Sequence, residues 1–154
     1  MTPARPILMN PDSVQGLMDN RKRQTRRVMK DAPGGDPRED GCLATVLARC
    51  PYGRPGDRLR VKEAFRHYGN TRHAGLWTAL LEYRAGGKLK VPFGKVEPPV
   101  RAWWNTGREP WTPSILMPCW ASRFLLEITE IRVQRLQEIS FDDCLAEGVI
   151  STSF

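Results

Sequence analysis

The chain has 154 residues, a formal net charge of +7 and a pI near 9.6, with 40% hydrophobic residues. It is long enough for one domain with a sizeable core, and no apolar run approaches the ~18 residues of a membrane helix. The N-terminus lacks the apolar core of a signal peptide, so we predict a cytoplasmic protein without membrane contact. The positive charge favours a polyanionic partner, with general solubility as the alternative.

The first predicted helix leads directly into the most basic segment of the chain. The helix begins at Pro11 after the cap residue Asn10 and ends before Asn20, which tolerates a positive φ. Of the ten residues 21–30, six are basic and none is acidic. Residues 24–29 can extend as a strand. We therefore expect this charge to be held on ordered structure and to meet an anion.

The next region is rich in glycine, proline and charge and predicts a loop-rich insertion at about 31–57, with a short helical turn from Ala44 to Ala48. After it, Leu59 to Phe65 alternate in strand phase, and Glu63 lies on the apolar face. A buried carboxylate must be paired, because burying it alone costs several kcal/mol. Lys22 or a nearby arginine is the expected partner. The alternative is a half-solvated Glu63 at the strand end.

A second loop-rich insertion is predicted at about 85–112, after a strand from Leu80 to Arg84. Four prolines exclude a helix there, and tryptophans alternate with cations. Such a mixture can stack bases and hold phosphates, whereas the alternative is that the tryptophans cover the core. The tryptophans are Trp103, Trp104 and Trp111, and the cations are Lys95, Arg101 and Arg108.

The C-terminal part predicts one long strand and one short helix. Phe124 to Val133 is apolar on both faces, as in a central barrel strand. Ser140 then caps a helix through Ala146, and Gly148 ends it. The four cysteines form no Cys-x-x-Cys pair and no phosphate-loop motif occurs, so we predict free thiols, no metal and no cofactor.

Five groups of residues follow one another along nearly the whole chain: Lys22-x-x-Thr25-Arg26-Arg27; Cys50-Pro51-Tyr52-Gly53 with Pro55-Gly56-Asp57-Arg58-Leu59; Val61-Lys62-Glu63; Trp111-x-Pro113-Ser114-Ile115 to Met117-Pro118-x-Trp120-Ala121-Ser122-Arg123; and Leu136-Gln137-x-Ile139-Ser140 to Ala146-Glu147-Gly148. In this order they resemble the phage and prophage ASCH-domain proteins of the PUA-like superfamily. The resemblance implies a single α+β domain over residues 1–154: a small mixed β-barrel with flanking helices and a basic cleft for RNA or a nucleotide base. It also implies a bacterial host cell.

One branch of this family removes the acyl group from N4-acetylcytidine, and its site residues correspond to Lys22, Thr25 and Glu147. A threonine hydroxyl needs an adjacent base, and a lysine acts as one only if its pKa is lowered, here by neighbouring arginines and partial burial. Glu147 would orient the lysine or pass a proton to the leaving amine. In the alternative reading, Lys22 contacts phosphate, Thr25 is an ordinary strand residue and Glu147 faces water.

Three functions remain open. The first is binding of RNA, single-stranded nucleic acid or a modified nucleoside, the second is the amidohydrolase activity, and the third is a regulatory or structural phage protein that binds another protein. Glu63 is the supporting carboxylate of the predicted binding site. The predicted nucleic-acid or anion contacts are Arg21, Lys22, Arg26, Arg27, Trp111, Trp120 and Arg123.

The chain departs from the family pattern at four positions. Asn20 replaces a glycine, Arg23 replaces a threonine, and Leu116 and Cys119 replace a histidine and an arginine, which removes polar contacts from the cleft. Phage members commonly continue past the last helix with a further strand. This chain ends at Phe154, so the expectation is either a short gene product or a barrel that has lost its last strand, and an exposed barrel edge would favour self-association.

Overall fold

The computed structural model describes residues 4–28, 50–94 and 111–149. The predicted turn at Ala44 to Ala48 lies outside the described residues. Contacts within the chain divide the described residues into two compact units. The first unit comprises 4–7, 16–28, 50–60 and 125–149, and the second comprises 8–15, 61–94 and 111–124.

The secondary structure is mixed α+β, which confirms the predicted class. The strands are β1 (Arg5–Leu8), β2 (Arg58–Lys62), β3 (Phe65–His73), β4 (Leu76–Tyr83), β5 (Lys88–Gly94) and β6 (Leu125–Glu127), and the helices are α1 (Pro11–Met18) and α2 (Phe141–Ala146). They form two three-stranded sheets, ordered β1-β2-β6 and β3-β4-β5, and within the described ranges neither sheet closes into a barrel. The PUA-like barrel stays a prediction. No helix in these ranges is long and apolar enough to cross a membrane.

Both helices begin at the caps that the sequence predicts. The Ser13 N–H donates to Asn10 Oδ1 at 2.8 Å, and the Asp143 N–H donates to Ser140 Oγ at 3.1 Å. Asn20, just after α1, has a φ of 57°. The side-chain acceptors satisfy N–H groups that have no partner inside the helix, which fixes where each helix starts.

Burial alternates along β2 and into β3 as predicted, with Leu59, Val61, Glu63 and Phe65 all buried. Glu63 is 2% exposed, and it accepts hydrogen bonds from Arg123 Nε at 2.8 Å and Arg123 Nη2 at 2.9 Å. The prediction of a buried, paired carboxylate is confirmed, and the alternative of a half-solvated one is wrong. The partner of Glu63 is Arg123, not Lys22.

The second unit contains the sheet β3-β4-β5. β4 pairs antiparallel with both β3 and β5. A bulge between His67 and Gly69 shifts the register of the β3-β4 pair. The expected strand from Leu80 is confirmed as the second half of β4, which begins at Leu76 and ends at Tyr83. Against this sheet lies a buried cluster that forms the core of the unit, composed of Phe65, Leu81, Tyr83, Met117 and Ala121.

Two predicted segments differ from the structure. Residues 88–94, expected in a loop, form β5, because Pro92 lies on an edge strand where a missing N–H disrupts no further pairing. The expected strand from Phe124 to Val133 shrinks to the three residues of β6. Its partner β2 starts only at Arg58, after the Pro55-Gly56-Asp57 turn, so the ladder runs out at Glu127.

Candidate functional site

Lys22 lies directly after α1, in the first unit, where the helix end fixes its backbone. Asn20 adopts a positive φ and its N–H donates to Leu17 O at 3.1 Å. The N–H groups of Arg21 and Lys22 then both donate to Gly16 O, each at 2.9 Å. This use of unpaired helix carbonyls is common at helix C-termini. The position of Lys22 therefore follows from local sequence.

The described residues after Lys22, up to Val28, do not form the strand expected from Gln24 to Met29, and Met29 itself lies outside the described residues. Lys22 and Glu147 form an isolated antiparallel bridge, and the N–H groups of the next two residues both donate to Ala146 O, at 2.7 and 3.0 Å. Ala146 is the last residue of α2, so the segment pairs with a helix end instead of a strand. A helix terminus offers a few carbonyls only, which cannot support a ladder.

The side chain of Lys22 is 8% exposed, and its Nζ donates to the main-chain O of Glu147 at 2.8 Å. Burial, which removes water from the ammonium group, lowers the pKa of Lys22 below its usual 10.5, and the positive charge of Arg27 lowers it further. The charge of Glu147 acts in the opposite direction. Desolvation is thus the main cause of the lowered pKa.

The structure brings two of the three predicted catalytic residues together. Glu147 caps the end of α2, and its Oε1 accepts from Arg26 Nη1 at 2.7 Å, while Lys22 contacts its main chain. Thr25 is half-buried, and among the described residues its hydroxyl has no hydrogen bond. The expected pair of Lys22 and Thr25 is therefore not formed.

Asp143 links the basic segment to α2, a role that sequence reasoning missed. It accepts from Gln24 Nε2 at 2.9 Å and from the N–H of Ser140 at 3.3 Å, and its Oδ2 lies 3.2 Å from Arg26 Nη2. The hydrogen bonds from Gln24 and Ser140 lower the pKa of Asp143 well below its usual range, and Arg26 adds to this. The available signal was the spacing Ser140-x-x-Asp143 of a capping box.

We expect Asp143→Asn to be less stable than the wild type at pH 7, with a difference that narrows in acid. The native pKa of Asp143 is depressed, so its contribution is complete above the unfolded pKa of 3.8 and is lost as the pH falls below it. Urea unfolding midpoints at pH 7 and in acid measure this. Asp12→Asn, at an exposed position, controls for removal of one charge. A difference between wild type and Asp143→Asn that stays constant with pH would contradict the expectation.

The other cations of the segment differ in their exposure and in their contacts. Arg21 pairs with Asp19 at 2.7 Å and also donates to Gly148 O at 3.2 Å. Arg27 and Arg23 are exposed. The Nη1 of Arg27 donates to the main-chain oxygen of Arg26 at 3.3 Å. Arg23 and Arg27 are therefore the cations best exposed to an anion.

The predicted tryptophans belong to the second unit. The guanidinium of Arg66 lies 5.2 Å from the ring centroid of Trp111, a cation–π distance. Trp120 packs on the core and meets Phe93 edge to face, with centroids 4.9 Å apart. Trp120 thus covers part of the core, while base stacking by Trp111 or Trp120 stays a prediction. Trp103 and Trp104 lie outside the described residues.

Arg123, predicted as an anion contact, has protein partners in the second unit. Besides its two hydrogen bonds to Glu63, its guanidinium lies 4.2 Å from the ring centroid of Tyr83. The Tyr83 hydroxyl donates to Ala121 O at 2.6 Å, and its pKa is raised by burial and by the charge of Glu63. The described contacts of Arg123 stabilise this unit. Anion binding by Arg123 stays a prediction.

Among the described residues, no three His, Cys, Asp or Glu side chains are grouped as metal ligands. Comparison of the chain with protein-family models, curated proteins and solved structures gave no match. The ASCH resemblance therefore stays a prediction.

Proposed function

We propose that the segment from Arg21 to Arg27 binds RNA or a modified nucleoside, as in an ASCH domain of PUA-like fold and phage origin. The observation that carries this proposal is the buried Lys22 amine, bonded to a main-chain oxygen at the edge of a basic segment. A lysine amine has several donors, so one hydrogen bond to Glu147 O leaves others for a ligand. A nucleobase edge, with its carbonyl and ring nitrogen acceptors, matches such a donor.

The charges around Lys22 support a phosphate contact beside the base contact. The segment holds five cations, of which Arg21 pairs with Asp19, and Arg26 pairs with Asp143 and Glu147. Arg23 and Arg27 are the two exposed cations of the segment. Guanidinium groups bind phosphate well, because their planar donors match its oxygen atoms. In this arrangement the two arginines bind the backbone and Lys22 contacts the base.

The experiment is a fluorescence anisotropy titration of the intact chain with a labelled single-stranded RNA at several salt concentrations. For single strands, the slope of log K against log salt is about −0.7 for each phosphate that is neutralised. Arg23→Gln/Arg27→Gln is expected to weaken binding and make this slope shallower. Arg54→Gln/Arg58→Gln removes the same charge at exposed positions of the same unit and is the matched control. Equal losses in both double variants would indicate non-specific attraction and contradict the proposed segment.

The second candidate is the amidohydrolase, and the lowered pKa of Lys22 favours it. The neutral Lys22 amine would take the proton of the Thr25 hydroxyl while the Thr25 oxygen attacks the acyl carbon of N4-acetylcytidine. The bond from that carbon to N4 would then break, and the proton would pass to N4, which releases cytidine. Water would cleave the acyl ester of Thr25 and release acetate. This route requires the amine to turn from Glu147 O to Thr25, and catalytic hydrogen bonds often tighten only with substrate bound.

Incubation of the purified chain with N4-acetylcytidine, followed by chromatography, tests the second candidate. Thr25→Val keeps the shape of the side chain and removes its hydroxyl, so it is expected to abolish turnover without unfolding the chain. If wild type releases cytidine and Thr25→Val does so equally fast, the threonine nucleophile is excluded. A folded wild-type chain without turnover leaves RNA binding as the function to pursue.

A further inference from the structure

Two glycines lie against the aliphatic stem of Lys22. A Cβ atom placed on Gly16 would lie 3.1 Å from Lys22 Cβ, and one placed on Gly148 would lie 3.2 Å from the same atom. Both distances are shorter than the ~3.5–4.0 Å of an ordinary contact between carbon atoms. An alanine at either position would therefore require the lysine stem to shift by a few tenths of an ångström.

We propose that Gly16 and Gly148 are positioning residues for Lys22, whose stem they confine from two elements so that its amine meets Glu147 O. Gly16 belongs to the last turn of α1, and Gly148 directly follows Glu147. The inference rests on the proposed function of Lys22 and adds two residues to it. Neither glycine contacts a ligand in this scheme, because both act through the lysine.

The location of Gly16 supports a role beyond local conformation. Glycine inside a helix is less favourable than alanine, because it loses more backbone freedom on folding. Gly16 is nevertheless found within α1, buried, with the Lys22 stem as its nearest neighbour. Gly148 has a φ of 84°, which alone favours glycine, so Gly16 is the cleaner position to test.

Replacing either glycine by alanine adds no charged group near Lys22 and removes none. Glu147 raises and Arg27 lowers the pKa of the amine. Among the described residues, Arg21, Arg26 and Asp143 are further charged groups on the elements packed around it. A change in the titration of Lys22 after a glycine substitution would therefore report a change in position or hydration of its amine. A glycine with a purely structural role would leave that titration unaltered.

The test is competitive labelling of the intact, ligand-free chain with trace acetic anhydride across a pH series, with mass spectrometry of the peptide that contains Lys22. In the wild type, Lys22 is expected to titrate below 10.5. In Gly16→Ala and Gly148→Ala its titration is expected to move toward 10.5, and a shift of one unit changes the neutral fraction at fixed pH by about tenfold. Other lysines should be unaffected.

Gly75→Ala is the matched control, because Gly75 has a φ of 78° and no atom within 4 Å of an added Cβ. An unchanged titration of Lys22 in Gly16→Ala, or an equal change in Gly75→Ala, would overturn the inference. If Gly148→Ala does not fold, Gly16→Ala decides alone. Labelling needs no ligand, so the two proposals can fail separately. If Lys22 titrates differently in Gly16→Ala but this variant binds RNA as tightly as the wild type, the positioning role is supported and the proposed function of Lys22 is contradicted.

Discussion

Arg123→Met is expected to lower the free energy of unfolding by about 3–5 kcal/mol, the range typical for removing one partner of a buried ion pair. Methionine fills much of the space of the arginine stem but leaves Glu63 without its two hydrogen bonds, at 2% exposure. The stack on Tyr83 is also lost. Urea unfolding followed by tryptophan fluorescence measures the effect.

Arg66→Met is the matched control for Arg123→Met. Arg66 pairs with Glu82 in the same unit, but the two side chains are 43% and 23% exposed. An exposed pair contributes only about 0–1 kcal/mol. The double variant Glu63→Gln/Arg123→Met should recover part of the loss, because it no longer buries an unpaired charge. Equal losses in Arg123→Met and Arg66→Met would contradict the structural role given to Arg123.

Lys22→Met is expected to weaken ligand binding or turnover by the segment without destabilising the chain at pH 7. The methionine side chain fills much of the space of the lysine stem, but it cannot donate a hydrogen bond to Glu147 O or to a ligand. If the chain is an amidohydrolase, loss of a general base should reduce turnover by about 10²- to 10⁴-fold. Because burial disfavours the charged amine in the native state, its removal offsets the lost hydrogen bond. The free energy of unfolding and the turnover of N4-acetylcytidine measure the two parts.

The difference in the free energy of unfolding between wild type and Lys22→Met should change with pH in a defined direction. The native pKa of Lys22 is lowered, so the unfolded state binds this proton more tightly than the native state. Wild type should therefore gain stability relative to Lys22→Met as the pH rises from the native pKa toward 10.5. Lys62→Met is the control, since Lys62 Nζ also donates to a main-chain oxygen, that of Ile115, at an exposed position. A large loss of stability in Lys22→Met at pH 7 would mark Lys22 as structural.

Local sequence signals predicted the parts of the fold that depend on near neighbours. The caps Asn10 and Ser140 fix the start of both helices, and alternation from Leu59 to Phe65 identified a buried Glu63 that needs a partner. Strand length was not predictable in this way. The extent of β6 depends on where β2 begins, and β5 accommodates Pro92 as an edge strand among the described strands.

The candidate site was predictable as residue types but not as contacts. The spacing of Lys22 and Thr25 predicted a pair, whereas the amine bonds to a main-chain oxygen that has no side-chain signal. Asp143 accepts from the Ser140 N–H in the capping box of α2 and also from Gln24, and only the capping role is visible in sequence. In the sequence, Gly16 is only an unfavourable residue within a helix, and its proximity to the stem of Lys22 is visible only in the structure.

The most direct test of the central claim is anisotropy of a labelled single-stranded RNA with the intact wild type and with Lys22→Met, at low and at high salt. We expect binding by the wild type that weakens steeply with salt. Lys22→Met should bind about tenfold more weakly at either salt concentration, a loss of about 1.4 kcal/mol that fits one charge-assisted hydrogen bond. A folded wild type that does not bind, or one that binds no more tightly than Lys22→Met, would contradict the account.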